Sequence, residues 1–148
     1  MNPTPVEPAS DVPTKPSKSF TRYFPIIVRI LLGLMFFVFG LNGFLNFIKP
    51  PANEPIPEFA TALLKTGYMI PLIKGTETLA GLLLLLNRFV PLALVLLAPI
   101  IVNIAAFHAF LAPKGMSTAI VILAMELYLA WVYRAAYRPL LTAKTTQA

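Results

Sequence analysis

Residues 68–111 read YMIPLIKGTETLAGLLLLLNRFVPLALVLLAPIIVNIAAFHAFL and contain two apolar segments separated only by Asn87 and Arg88. Each segment, 68–86 and 89–111, has roughly the 20 residues that a membrane-spanning helix needs. Because the connection is so short, the two helices are predicted to be antiparallel neighbours. Pro91 suits the first turn of the second helix, and Pro99 predicts a kink near its middle.

Two further apolar segments flank this predicted hairpin, at residues 24–48 and about 117–137. The chain has 148 residues, of which 57% are hydrophobic and only 12% are charged, and its mean hydropathy is +0.76. A water-soluble domain of this length would not hide so much apolar surface in one core. The sequence therefore predicts an all-α integral membrane protein, an antiparallel four-helix bundle over residues 23–141 that contacts the lipid bilayer.

Polar segments surround the predicted helices. Residues 1–22 are rich in proline, serine, threonine and lysine, which predicts a disordered N-terminal tail, and residues 142–148 form a short C-terminal tail. Pro50 and Pro51 predict the end of the first helix. The helical spacing of Phe59, Ala62 and Leu63 predicts a short interfacial helix over residues 58–65. The first apolar segment is too long for a secretory signal and has no cleavage site, so we expect it to remain as an anchor.

The distribution of charge predicts the orientation of the chain. Basic residues collect on the side of the two termini and of Arg88, whereas the lysines at 49 and 65 share their loop with acidic residues. The positive-inside rule then places both termini in the cytoplasm and the helices in the cell membrane. The net charge of +6 is scattered between apolar segments, so no nucleic-acid partner is expected. Without cysteine, the chain has no disulfide and no thiolate metal site of its own.

Ionisable residues inside the apolar segments are the candidate functional residues, because placing a carboxyl in hydrocarbon is costly unless a partner or a proton relieves it. We hypothesise a central polar cluster that binds a ligand head group or relays a proton. Its members are Arg29, Lys74, Glu77, Asn103 and Glu126. In this hypothesis Arg29 and Lys74 compensate the two carboxylates. The alternative is that these groups only lock the helices together.

Three more residues are secondary candidates: Asn42, Asn46 and His108. The two asparagines lie on one stripe of the first helix, where they form either the mouth of a cavity or, as we favour, a solvated helix end. A single histidine cannot build a multi-histidine metal site, and we expect a hydrogen-bonded His108 more than a haem ligand. No metal site is predicted, and no self-contained catalytic motif is present.

Three segments together resemble the DoxX family of small membrane proteins: RILLGLMFFVFGLNGFL at 29–45, TGYMIPLIKGTETLAGLLLLLNRFVPLAL at 66–94 and ELYLAWVYR at 126–134. The resemblance covers roughly residues 29–141. Arg29 matches the arginine that opens the first helix of the family, followed by Gly33 and Gly40. Glu77 and Gly81 match its acidic residue, which is followed by glycine and a leucine run. The resemblance implies a four-helix bundle.

The same resemblance implies a function. The name-giving members resemble small subunits of a quinone-linked thiosulfate oxidoreductase, so this chain is expected to be a small subunit or accessory of a quinone-linked redox complex. A quinone is then the candidate ligand and oxidoreductase subunits are the candidate partners, while the chain carries no cofactor of its own. Two alternatives stay open. One is a small-molecule transporter or binding protein, which would need a homo-oligomer, and the other is a non-enzymatic assembly factor.

Overall fold

The computed structural model describes residues 18–49 and 57–141, and within these ranges the chain is helical, with no strand. The α-helices are α1 Lys18–Leu45, α2 Glu58–Lys65, α3 Met69–Leu85, α4 Val90–Phe110, α5 Met116–Val132 and α6 Arg134–Tyr137. Short 3-10 helices cover Pro113–Gly115 and Arg138–Leu141. The all-α class and the short helix at 58–65 are confirmed. The predicted tails at 1–17 and 142–148, and the helix end at Pro50 and Pro51, lie outside the described residues.

Three helical segments are long and apolar enough to cross a membrane: Tyr23–Leu45, Val90–Phe110 and Pro113–Val132. Helix α3 has 17 residues, about 25 Å at 1.5 Å per residue, which is short of the hydrocarbon core. It is long enough to cross the membrane only together with α2, and the two helices meet at a bend of 99°. The chain is thus a multi-pass membrane protein, with three candidate spans in residues 18–49 and 57–141, or four if α2 and α3 form one broken span.

Helix α1 starts at Lys18, so it includes residues that were predicted to belong to the tail, and it ends at Leu45, before the two prolines. The end has a local cause. Asn46 has a φ of 50°, a left-handed conformation that asparagine tolerates and that stops a helix. The amide of Asn42 then brackets the departing chain, because its Oδ1 accepts from the N–H of Ile48 at 2.6 Å and its Nδ2 donates to the Ile48 carbonyl at 3.2 Å.

The main packing contact joins α1 and α3, and glycines allow it. Gly33 lies opposite Leu84 and Gly81, whereas Gly43, ten residues later, lies opposite Lys74. A Cβ added at Gly40 would come within 2.6 Å of the Thr78 backbone nitrogen, so the two backbones nearly touch. The glycines of α1 thus form the face that meets α3, and they place the polar segment of α3 against α1.

Helices α4 and α5 complete the core. In the described ranges, the largest fully buried apolar side chains come from α1, α3, α4 and α5: Leu32, Leu84, Leu94, Leu97, Ile101 and Leu129. The turn between α3 and α4 uses left-handed residues, with φ of 55° at Asn87 and 51° at Phe89. The helix predicted over 117–137 is broken at Tyr133, and the hydroxyl of Tyr137 in α6 donates to the Pro91 carbonyl at 3.2 Å.

Candidate functional site

An elongated groove of about 730 Å³ runs between α3 and α4, and α2 lies across one end of it. We call it the α3–α4 groove. Its walls are mostly apolar, but four polar side chains with nitrogen or carboxyl groups reach it: Lys74, Glu77, Asn103 and His108. Leu72 and Val95 line the groove and are exposed, so its outer side is open to the surroundings of the helices. The volume is typical of a site for a small organic ligand.

The Lys74–Glu77 ion pair is the polar centre of the groove. Lys74 Nζ donates to Glu77 Oε2 at 2.7 Å, across one turn of α3. The Glu77 side chain is only 6% exposed, whereas that of Lys74 is 27% exposed. An ammonium has three N–H donors, and within the described residues Nζ hydrogen-bonds only to Glu77. The remaining donors of Lys74 are therefore available to an acceptor in the groove.

Asn103 lies on the opposite wall, on α4. Its side chain is exposed and makes no hydrogen bond to the described part of the chain. An amide offers both donors and an acceptor, so a ligand between the walls could be held from both sides. The structure thus brings three of the five predicted cluster residues, Lys74, Glu77 and Asn103, to one groove.

His108 lies at the end of the groove nearest α2. Its Nδ1 is 3.0 Å from the Ala112 carbonyl, and since a carbonyl only accepts, Nδ1 carries the hydrogen. In the neutral ring, Nε2 is then an acceptor. The imidazole packs against Gly115, where a Cβ would collide with the ring. His108 is thus a hydrogen-bonded histidine that also lines the groove.

Helix α2 closes this end of the groove with its apolar face. Phe59, Ala60 and Leu63 line the groove, and the Phe59 ring packs on Phe107 with centroids 5.6 Å apart. The Phe107 ring in turn meets the His108 ring edge to face at 5.2 Å. The helical spacing of residues 58–65 predicted the helix, but nothing in the sequence predicted that it would cover a groove.

Arg29 is buried away from the groove, at the end of α3. Its Nη1 donates to the carbonyl of Leu84, which also accepts from the backbone N–H of Asn87. The last carbonyls of a helix have no partner inside the helix, and a cation there complements the negative end of its dipole. Arg29 therefore caps α3. Within the described residues it forms no ion pair with either Glu77 or Glu126, the two carboxylates that it was expected to compensate together with Lys74.

Glu126 lies on the buried face of α5 and is only 4% exposed. Its Oε2 has no hydrogen-bond partner. Glu126 does not line the α3–α4 groove, so the hypothesised cluster divides into the groove residues and two separate buried groups, Arg29 and Glu126. Asn42 and Asn46 belong to neither, because they end α1. No group of three or more potential metal-ligating side chains occurs in the described ranges.

One protein family matches most of the helical core that contains this groove. The DoxX family model matches residues 24–111, which include most of α1, all of α2, α3 and α4, and the whole α3–α4 groove. No curated protein and no solved structure matches the chain. The family match covers Arg29 and Glu77 but stops before α5, so Glu126 lies outside it. With more than half of its residues matched by one family model, the chain belongs to the DoxX family.

Proposed function

We propose that this protein is a small membrane subunit or accessory of a quinone-linked redox complex, and that the α3–α4 groove holds the quinone. The observation that carries the proposal is the Lys74 ammonium, which has free donors inside a mostly apolar groove. A quinone needs such a site, because its ring carbonyls accept hydrogen bonds while its prenyl tail is apolar. The open side of the groove would let the tail extend between lipid chains.

The ion pair favours a neutral acceptor over an anion. Glu77 already balances the charge of Lys74 at 2.7 Å, so an anionic head group would face a carboxylate as well as an ammonium. A neutral carbonyl takes a donated hydrogen bond without that repulsion. Asn103 on the facing wall supplies a second donor. This proposal gives quinone binding to this chain and electron transfer to a partner subunit.

We further propose that the helices form an antiparallel four-helix bundle in the cytoplasmic membrane, with both termini on the cytoplasmic side. The opposite order of the contacts along α1 and α3 supports the antiparallel arrangement. The basic residues at Arg88, Arg134 and Arg138 support the orientation. In this orientation, α2 and the end of the groove near His108 face the outside of the cell.

The test is retention of a short-chain ubiquinone by the purified protein, measured by native mass spectrometry and by titration. Lys74→Met should weaken binding by about tenfold or more, because a hydrogen bond from a charged donor contributes about 1.5–3 kcal/mol. Lys114→Met is the matched control, since Lys114 is exposed and outside the groove, and it should bind like the wild type.

Lys74→Met also leaves Glu77 without a partner and could weaken folding. The double variant Lys74→Met with Glu77→Leu removes the ion pair altogether, and its thermal unfolding in detergent should stay close to that of the wild type. We expect it to remain folded and to bind ubiquinone weakly. Wild-type affinity in this folded double variant would contradict quinone binding by the ion pair.

A non-redox small-molecule binder or transporter is the second candidate, favoured by the open side of the groove. The same mass spectrum separates the two. A retained quinone or an oxidoreductase subunit supports the redox proposal. A homo-oligomer that retains a different small molecule supports the alternative, and a bare protein whose stability but not function depends on Lys74 and Glu77 indicates an assembly factor.

A further inference from the structure

Glu126 is the one buried carboxyl in the described residues whose oxygen lacks a partner. It shares the inward face of α5 with Ala119, Ile122 and Leu129, which are all buried. Buried polar atoms in folded proteins nearly always have a hydrogen-bond partner, so an exception needs a physical explanation. Nothing in the α3–α4 groove accounts for Glu126, because Glu126 does not line it.

Among the side chains that the structure describes, the elements packed against α5 provide no cation for this carboxyl. Helix α1 contributes Arg29, whose guanidinium caps the Leu84 carbonyl of α3. Helix α4 contains no lysine, arginine or acidic residue. Its single titratable group, His108, lies in the last turn of the helix and bonds to the Ala112 carbonyl. The 3-10 helix before α5 has Lys114, which is exposed.

The basic residues after α5 also do not pair with Glu126. Arg134 donates to the Trp131 carbonyl at 2.9 Å, and its guanidinium lies 4.5 Å from the centroid of the Trp131 ring. Arg138 is exposed. Within the described ranges the only ion pair of 4.0 Å or less is Lys74–Glu77. An ionised Glu126 would therefore be an unpaired charge among apolar side chains, which is strongly disfavoured.

We propose that Glu126 is a proton-binding site in the core of the protein, a neutral carboxylic acid that exchanges its proton with water at the α6 end of α5. It differs in kind from Glu77, whose Oε2 lies 2.7 Å from the Lys74 ammonium. The proposal does not rest on the function of the groove, because the two sites share no residue. It assigns one of the two intramembrane glutamates to charge pairing and the other to holding a proton.

Tyr137 marks the side from which the proton would be exchanged. The phenol is half-buried, and its hydroxyl donates to the carbonyl of Pro91 at the start of α4. Burial, and secondly the charge that Glu126 carries when ionised, raise the pKa of the Tyr137 phenol. Arg134 and Arg138, which flank Tyr137 in the sequence, are exposed, so this end of α5 reaches the surface.

Infrared spectroscopy of the full-length protein in lipid tests this inference. At pH 7 the wild type should show the carbonyl stretch of a protonated carboxylic acid, and the band should shift to lower frequency in heavy water. Glu126→Gln should abolish the band, whereas Glu77→Gln, the matched control, should retain it. Absence of the band in the wild type, or its survival in Glu126→Gln, would overturn the proposal. A band that does not shift in heavy water would overturn the exchange of the proton.

A second measurement needs no variant. A hydrophobic carbodiimide reacts with protonated carboxyls, since the O–H adds across a C=N bond and the acyl group then migrates to nitrogen, with no leaving group. Peptide mapping of the treated wild type should show one carbodiimide mass on the peptide that contains Glu126. Labelling that is confined to Glu77 would contradict the assignment of the two glutamates, even if Glu126→Gln does not fold.

Discussion

Gly81 of α3 lies at a close contact with α1, where there is no room for a side chain. A Cβ at this position would collide with the backbone nitrogen of Phe37 and would lie 2.8 Å from the Gly33 carbonyl oxygen. Backbone atoms cannot move aside as the end of a flexible side chain can. The glycine is therefore required by the approach of α1 and not by its own backbone conformation.

Gly81→Ala should lower the free energy of unfolding by about 1–3 kcal/mol, the usual cost of overpacking a core. Gly75→Ala is the control on the same helix, because a Cβ there meets nothing within 4 Å. Alanine is the better helix former, so this control should be neutral or stabilising by up to about 1 kcal/mol. Unfolding in detergent followed by circular dichroism measures both, and equal effects of the two substitutions would contradict the close contact.

Tyr137 predicts a pH dependence at alkaline pH. Its pKa is raised above the ordinary value of 10.0, chiefly by burial, so the folded state favours the neutral phenol. That stabilisation is complete below pH 10 and is lost as the pH rises through the raised pKa. The thermal stability of the wild type should therefore fall above pH 10, and that of Tyr137→Phe should fall less steeply. If the stability of the two proteins falls equally with pH, the Tyr137 phenol does not cause the loss.

At the scale of elements, α2 is defined by what its two faces touch. Phe59 and Leu63 face the α3–α4 groove, whereas Leu64 is 53% exposed and does not line it. The 99° bend to α3 places this short helix across the end of the groove. Contacts between α2 and the rest of the protein are few beyond the ring contact of Phe59 with Phe107, so this contact should control how firmly α2 is held.

Phe59→Ala should increase amide hydrogen exchange in residues 58–65 and speed the release of a ubiquinone bound in the groove. The aromatic pair contributes about 0.5–1.5 kcal/mol beyond the area that it buries, so we expect exchange to rise severalfold. Leu64→Ala removes a similar apolar side chain from the other face and should leave both quantities unchanged. The same exchange rates in the two variants would show that the ring contact does not hold α2.

The elements were largely predictable from the sequence, and the pairing of side chains only in part. Long apolar segments predict helices because few other structures provide hydrogen-bond partners for every backbone N–H and C=O group in a membrane. Lys74 and Glu77 are three residues apart on one helix, so their pairing is a local property. Arg29 instead binds the Leu84 carbonyl, and a backbone acceptor 55 residues away leaves no mark in a side-chain pattern. The early end of α1 depends on the φ of Asn46, which the sequence does not state.

At the scale of the whole molecule, the proposed topology places Arg88 and Lys114 on opposite sides of the membrane, at opposite ends of α4. The chain contains no cysteine, so single cysteines can be introduced without removing native ones. In intact cells, a membrane-impermeant maleimide should label Lys114→Cys, and it should label Arg88→Cys only after the cells are opened. Both side chains are exposed, which makes them accessible to the reagent. The reverse pattern would invert the proposed orientation.

The short α3 has a consequence for the lipid around the protein. Helix α4 has 21 residues and is about 31 Å long, roughly the thickness of the hydrocarbon core. Its neighbour α3 is only about 25 Å long between the bend from α2 and the turn to α4. A bilayer that fits one helix is too thick for the other, a hydrophobic mismatch met by local thinning or by tilt. Lipids with shorter acyl chains should therefore suit the α3 side, and membrane thickness becomes a variable that sets how deep the groove lies.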